Sequence, residues 1–140
     1  MRINLAAQVL SRTVAAGMYT HSTTGQLPQA AVYTAEFVHE VDRLFDCFNS
    51  SVRFHFKQVR GGLSSNSCHL AFINEIKSYI ESWEVCAPPH VHIHCIDGWL
   101  SNLTALKALW QDIQVYKVKY LLTRRLNQDC VENLFSKLRN

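Results

Sequence analysis

Apolar side chains recur at the spacing of helix faces in the first third of the chain. The segment from Leu5 to Tyr19 is rich in Ala, Leu and Val, which favours a helix, and Gly25 and Pro28 follow it as stop signals. From Thr34 onward the pattern is sharper, with apolar residues on one face of a second helix. That face is formed by Phe37, Val41, Leu44, Phe45 and Phe48. Thr34 has the residue type of an N-cap, so we predict that the second helix begins there.

Two further helices are predicted in the middle of the chain. A third helix is expected between a cap near Ser67 and a stop at the Pro88-Pro89 pair. A fourth helix is expected to start at Asp97 or Ser101 and to reach Ile113, because its apolar residues are three or four positions apart.

Residues outside these helices divide into a linker, an extended segment and a last helix. Ser50–Ser67 contains two adjacent glycines and a Ser-Ser-Asn-Ser run, so we predict a flexible linker. Apolar and polar residues alternate over Val118–Leu122, which indicates a short strand or an extended connection. Asn127 is the predicted cap of a last helix that contains Val131–Leu138. The expected fold class is therefore mainly α, with one short extended segment.

Composition excludes several classes of protein. The chain has 140 residues, of which 48% are apolar and 18% charged, which excludes a disordered or low-complexity segment. No apolar run of about 18 residues occurs, so no membrane contact is expected. Five cysteines without a CxxC pair fit a reducing compartment better than a disulfide framework. A net charge of +3 permits contact with nucleic acid without requiring it.

Common catalytic and nucleotide-binding motifs are absent from the sequence. It contains no GxxxxGK[ST] loop, no GxGxxG after a strand, no GxSxG elbow and no HExxH pair. A P-loop nucleotide site, a Rossmann site, an α/β-hydrolase and an HExxH metalloprotease are therefore excluded.

A cluster of histidines and cysteines offers potential metal ligands. It consists of Cys86, His90, His92, His94 and Cys95. Alternation would place the three histidines on one face of a strand, and imidazole and thiolate are zinc ligands. The alternative interpretation is a His-rich, solvated loop after the two prolines. The spacing matches no common zinc finger, which favours the loop.

Two groups of residues resemble a known family. The first group is Asn4–Ser11, Thr34–Phe37 and Leu44–Ser50, and the second is Gly98–Leu100 with Tyr120–Ser136. Together they resemble the P-element transposases and their relatives that contain a THAP domain. The most specific stretch reads Leu-Leu-Thr-Arg-Arg-Leu-Asn-Gln-Asp-Cys-Val-Glu-Asn-Leu-Phe.

The resemblance implies an architecture and a function. Family members carry a zinc-coordinating THAP domain that binds DNA, and an RNase-H-like catalytic domain that is interrupted by a helical, GTP-binding insertion. Residues 1–122 would then be the insertion domain, and residues 123–140 would return to the incomplete RNase-H-like fold. The implied activity is nuclear cut-and-paste DNA transposition, with Mg²⁺ and GTP as cofactors. The implied partners are DNA, the upstream catalytic and THAP segments, and a second copy of the chain in a homo-oligomer.

The resemblance also assigns roles to four residues. Glu132 falls on the last acidic residue of the catalytic set, which holds Mg²⁺. Asp129 corresponds to a contact with the guanine base, and Asp46 and Asn49 to contacts around the nucleoside. From the residues alone, the favoured interpretation of Asp129 is a charge in the first turn of a helix. For Asp46 and Asn49, a polar helix end with Asn49 as C-cap has the same weight as the nucleoside contacts.

The expected function follows from what the chain contains. It contains only one of the three acidic residues that the family needs for catalysis. We therefore expect a fragment or degenerate copy of a transposase that is inactive alone. The alternative is a non-enzymatic module, derived from a transposase, that binds a guanine nucleotide or a protein.

Overall fold

The chain is mainly helical and divides into two compact units. The computed structural model describes residues 3–84, 86 and 93–127. The units are Met1–Asn49 and Ser50–Asn140. Five α-helices and three short 3₁₀ turns occur in the described part of the chain, with an isolated β-bridge in place of any strand. The mainly α fold class is thereby confirmed.

The first unit is built from three helices. They are α1 (Ile3–Val9), α2 (Arg12–Thr23) and α3 (Ala31–Phe48). Helices α2 and α3 pack against each other. Small and aliphatic side chains are buried in this unit: Ala15, Ala35, Val38, Leu44 and Cys47.

Two predicted boundaries in the first unit are wrong. The expected single helix over Leu5–Tyr19 is interrupted, because Ser11 is extended and its side chain accepts a hydrogen bond from the Val14 N–H at 3.4 Å. Serine hydroxyls compete with the helical ladder in this way and start a new helix. Helix α3 begins at Ala31, whose N–H donates to the carbonyl of Pro28 at 2.9 Å, so Thr34 lies inside the helix.

The second unit contains α4 (His69–Glu81) and α5 (His94–Ile113), which pack against each other. Apolar side chains on both helices are buried: Phe72, Ile73, Ile76, Ile80, Leu103, Leu106 and Trp110. The Lys107 ammonium also donates to the Asn74 side-chain carbonyl across the pair, at 2.9 Å.

Helix boundaries in the second unit differ from the predictions by a few residues. Helix α4 starts after Cys68, one residue beyond Ser67, and it ends at Glu81, before the two prolines. Helix α5 starts at His94, so Asp97 lies in its first turn. A carboxylate there is stabilised by the positive end of the helix dipole.

The predicted flexible linker is an ordered segment. Leu63 is fully buried and exchanges two backbone hydrogen bonds with Leu121, at 3.0 and 2.8 Å. Ser50 and Thr123 are also buried, and each backbone N–H donates to the other residue's hydroxyl, at 3.1 and 2.9 Å. Pairing with residues 118–123 therefore orders this stretch, despite its glycine and serine content. The same pairing confirms the extended connection predicted over Val118–Leu122.

The last predicted helix lies outside the described residues, apart from its predicted cap, Asn127. That residue follows a 3₁₀ turn over Thr123–Leu126. None of the helices that the structure describes has the length and apolar character needed to cross a membrane.

Candidate functional site

Asp46 and Asn49 lie together at the C-terminal end of α3. Both residues are half-buried. Asn49 is the C-cap, and its backbone N–H donates to the Asp46 carbonyl at 3.2 Å. The Asn49 side-chain N–H donates to the Phe45 carbonyl at 2.8 Å. Positions three apart lie on one side of a helix, so the two polar side chains share one end of α3.

The capping role of Asn49 is compatible with a role in ligand binding. A side-chain amide has two N–H donors and a carbonyl acceptor, and the hydrogen bond to the Phe45 carbonyl involves one of the donors. This hydrogen bond also holds the Asn49 side chain against the last turn of α3, which contains Asp46. A carboxylate and an amide at one helix end can together recognise both donors and acceptors of a nucleoside.

Negative charge is concentrated on α3. All four acidic residues of the first unit, Glu36, Glu40, Asp42 and Asp46, are on this helix. Both oxygens of Glu40 accept from the Arg43 guanidinium at 2.8 Å. Burial, followed by the carboxylates of Glu36 and Glu40, raises the pKa of the Tyr19 hydroxyl. An acidic helix favours the N–H groups of a base over the phosphates of a nucleotide.

The other two residues that the resemblance selects, Asp129 and Glu132, lie outside the described residues. Their assignments remain predictions.

The histidine and cysteine cluster lies only partly within the described chain. His90 and His92 are outside it, and His94 opens α5, so the expected strand alternation is wrong at His94. Cys86 and Cys95 are exposed free cysteines. Among the described residues, no group of three or more metal-ligating side chains occurs.

The second unit contains a cleft of about 880 Å³. Its walls come from the ordered segment after Ser50, the residues before α4 and the extended connection: Arg53, Phe54, His55, Gln58, Gly61, Gly62, Ser64–Cys68 and Val118–Tyr120. No aspartate or glutamate is among these lining residues. Gly61 allows the close approach of the wall, because a Cβ there would lie 3.2 Å from the Arg53 and Gln58 carbonyls.

Aromatic and cationic side chains meet at the mouth of this cleft. The guanidinium carbon of Arg53 lies 4.8 Å from the Phe54 ring centroid and 5.3 Å from that of Tyr120. Phe54, a lining residue, is 79% exposed. Phe56 is not a lining residue, but it is 84% exposed and its ring stacks on the lining residue His55, with 4.5 Å between the ring centroids. These residues were not predicted from the sequence, although the Arg-Phe-His-Phe run over 53–56 was the available signal.

The buried side chain of His69 forms hydrogen bonds with residues in and next to the lining of the cleft. The His69 Nε2–H donates to the Val59 carbonyl at 3.0 Å, and Nδ1 lies 2.9 Å from the Ser67 hydroxyl. That hydroxyl also accepts from the Ser64 N–H at 2.9 Å. Burial lowers the pKa of His69, and hydrogen bonds to the carbonyls of Val59 and Gly61 act against this. The imidazole is therefore neutral in the folded chain at neutral pH.

We expect the stability of the second unit to fall as the pH drops below about 6.5, the ordinary pKa of histidine. The unfolded chain then takes up a proton that the folded chain resists, so unfolding becomes more favourable until the pH reaches the lowered pKa of folded His69. Urea unfolding followed by tryptophan fluorescence at pH 7.5, 6.5 and 5.5 measures this, since Trp83, Trp99 and Trp110 all lie in this unit.

His69→Gln should flatten this dependence, and His94→Gln, which removes an exposed imidazole of the same unit, should not. An equal slope in the wild type and the His69→Gln variant would contradict the prediction.

The comparisons agree with the family resemblance. Residues 1–60 match the family model described as TNP-like, GTP-binding insertion domain. The chain is 25% identical over 153 residues to the transposable element P transposase of Drosophila melanogaster. This alignment covers 99% of this chain and 19% of that protein. Its fold matches the Drosophila P element transposase strand transfer complex with a TM-score of 0.86 and 25% identity, over 99% of this chain and 32% of that one. The resemblance to the P-element transposases is therefore confirmed in sequence and in fold, over a segment that spans about a fifth of the curated relative's length.

Proposed function

We propose that this chain is the GTP-binding segment of a P-element-like DNA transposase. In this proposal, residues 1–122 form the helical insertion domain and residues 123–140 return to an RNase-H-like catalytic domain. The match of residues 1–60 to a GTP-binding insertion domain supports it most directly. That stretch includes Asp46 and Asn49, which share the end of α3.

The residue types fit recognition of guanosine. Asp129 is the proposed partner of the base, because one carboxylate accepts from both the N1–H and the N2–H₂ groups of guanine. Asp46 and Asn49 are the proposed contacts around the nucleoside. The acidic character of α3 disfavours phosphates beside these residues, so the triphosphate has to extend toward cations elsewhere in the protein.

In the complete transposase, Glu132 is the proposed catalytic carboxylate. Its hard oxygen atoms are of the kind that Mg²⁺ prefers, and two aspartates from the preceding part of the protein would complete the set. Glu132 and these aspartates would hold Mg²⁺, whose charge would help to activate the attacking oxygen and to stabilise the leaving oxygen of the DNA strand. One carboxylate cannot hold the metal pair, so the chain alone is expected to be inactive. The proposed partners are DNA, the upstream THAP and catalytic segments and a second copy of the chain, in the nucleus.

Calorimetric titration of the chain with nucleotides in the presence of Mg²⁺ tests the proposal. GTP should bind, and ATP should not, because adenine offers no N–H pair at the positions read by a carboxylate. Equal affinities for GTP and ATP, or no heat with GTP at millimolar concentration, would overturn it.

A further inference from the structure

We propose that the cleft of the second unit binds a single strand of DNA. Phe54, which lines the cleft, would stack on a base, and Phe56, which stacks on the lining residue His55, would stack on a neighbouring base, while Arg53 and Lys119 would contact the phosphates. This inference rests on the proposed function only in taking DNA as the nucleic acid. The choice of site and of a single strand is based on the geometry and charge of the cleft.

Charge is strongly segregated along the two stretches of sequence that supply the cleft's cationic lining residues, Arg53 and Lys119. Two stretches of the sequence, residues 50–74 and 113–128, contain none of the eleven acidic residues of the chain but seven of its fourteen Lys and Arg residues. The seven are Arg53, Lys57, Arg60, Lys117, Lys119, Arg124 and Arg125. The backbone pairing of Leu63 with Leu121 joins the two stretches. The fold therefore brings two separate cationic segments together, as binding of a polyanion requires.

The aromatic side chains at the cleft are exposed where a monomer would ordinarily bury them. Phe54 and Phe56 present most of their surface to solvent, and Tyr120 is 39% exposed. A cluster of large, solvent-exposed aromatic side chains is typical of a binding surface. Arg53 lies over the rings of both Phe54 and Tyr120, and this cation–π contact orders the rings beside a phosphate-binding group.

A single strand fits this surface better than a duplex or a protein. Aromatic side chains stack on bases that are unstacked from their neighbours, whereas an intact duplex presents mainly phosphates to such a surface. An apolar protein partner would use the rings but would leave the cations of an acid-free cleft unpaired. Alternating aromatic and cationic groups match the alternating bases and phosphates of one strand.

Fluorescence anisotropy with a labelled 20-nucleotide oligo(dT) tests this proposal in the full chain at 50 mM salt. We expect Phe54→Ala to weaken binding about tenfold, as loss of one stacked base does. Lys119→Gln should weaken binding and also reduce the slope of log affinity against log salt concentration by about 0.7. A duplex of the same length should bind more weakly than the single strand.

Two matched variants serve as controls. Tyr116→Ala removes an aromatic side chain that is 79% exposed in the same unit but does not line the cleft. Lys107→Gln removes a lysine on α5, also outside the lining. Both should bind oligo(dT) like the wild type, and circular dichroism should show that every variant is folded.

The outcomes separate this proposal from the function proposed above. Phe54→Ala should retain GTP binding, Asp46→Ala should retain oligo(dT) binding, and saturating GTP should not displace the oligonucleotide. Equal binding by Phe54→Ala and the wild type would overturn the stacking role. Tighter binding of the duplex, or displacement of oligo(dT) by GTP, would overturn the assignment of a single-strand site. Failure of GTP to bind, with oligo(dT) binding intact, would overturn only the guanine-nucleotide function.

Discussion

If this segment is part of a complete transposase, as proposed above, Glu132→Ala in that protein is expected to abolish strand cleavage while leaving the protein folded. A carboxylate that holds Mg²⁺ contributes several kcal/mol to transition-state stabilisation, so its loss lowers the cleavage rate by a factor on the order of 10³. Cleavage of a labelled transposon-end duplex in Mg²⁺ measures the effect.

Asp112→Ala is the matched control for this prediction, since it removes an exposed carboxylate on α5. It should leave cleavage unchanged. GTP binding by the Glu132→Ala protein should also be unchanged, which shows that the segment is folded. Cleavage at the wild-type rate would contradict the catalytic role and favour the alternative of a non-enzymatic guanine-nucleotide module.

Asp46→Ala in the 140-residue chain is expected to weaken GTP binding by about 10- to 100-fold. Hydrogen bonds that involve a charged group contribute about 1.5–3 kcal/mol, and each 1.4 kcal/mol is a factor of ten in affinity. Asp129→Ala should have an effect of the same order if its carboxylate accepts from the guanine base. Calorimetric titration of each variant with GTP and Mg²⁺ gives the dissociation constants.

The control is Asp42→Ala, which removes a carboxylate one turn earlier on the same helix. It changes the charge of α3 by the same amount but is not among the proposed nucleoside contacts. Affinity for GTP should therefore stay close to that of the wild type. Equal weakening by Asp42→Ala and Asp46→Ala would show that the charge of the helix matters, and not a contact from position 46.

The helices were predictable because their apolar spacing depends on nearby residues. The buried positions Ile73, Ile76 and Ile80 of α4 follow a helical period, as do Leu103, Leu106 and Trp110 of α5. Helix ends were less predictable, since a single side-chain hydrogen bond can move them. The hydroxyl of Ser11 divides a helix that the propensities of its residues would have continued.

The two surfaces differ in how far the sequence leads to them. Asp46 lies in the last turn of α3 and Asn49, three residues later, is its C-cap, so their proximity follows from local geometry. The cleft combines Arg53 with Tyr120, which are far apart in sequence. The glycines and serines of Ser50–Ser67 predict flexibility, and the pairing that orders this stretch involves residues about 60 positions later in the sequence.

The amino-acid sequence by itself determined the helical class, the resemblance to the P-element transposases and the polar end of α3, because each of these depends on the order of neighbouring residues. Tertiary structure alone decided that Ser50–Ser67 is ordered and that two cationic stretches share one cleft. The physical reason is that the Leu63–Leu121 bridge and the Ser50–Thr123 hydrogen bonds join distant segments. Propensity and periodicity describe local conformation and carry no information about such pairings.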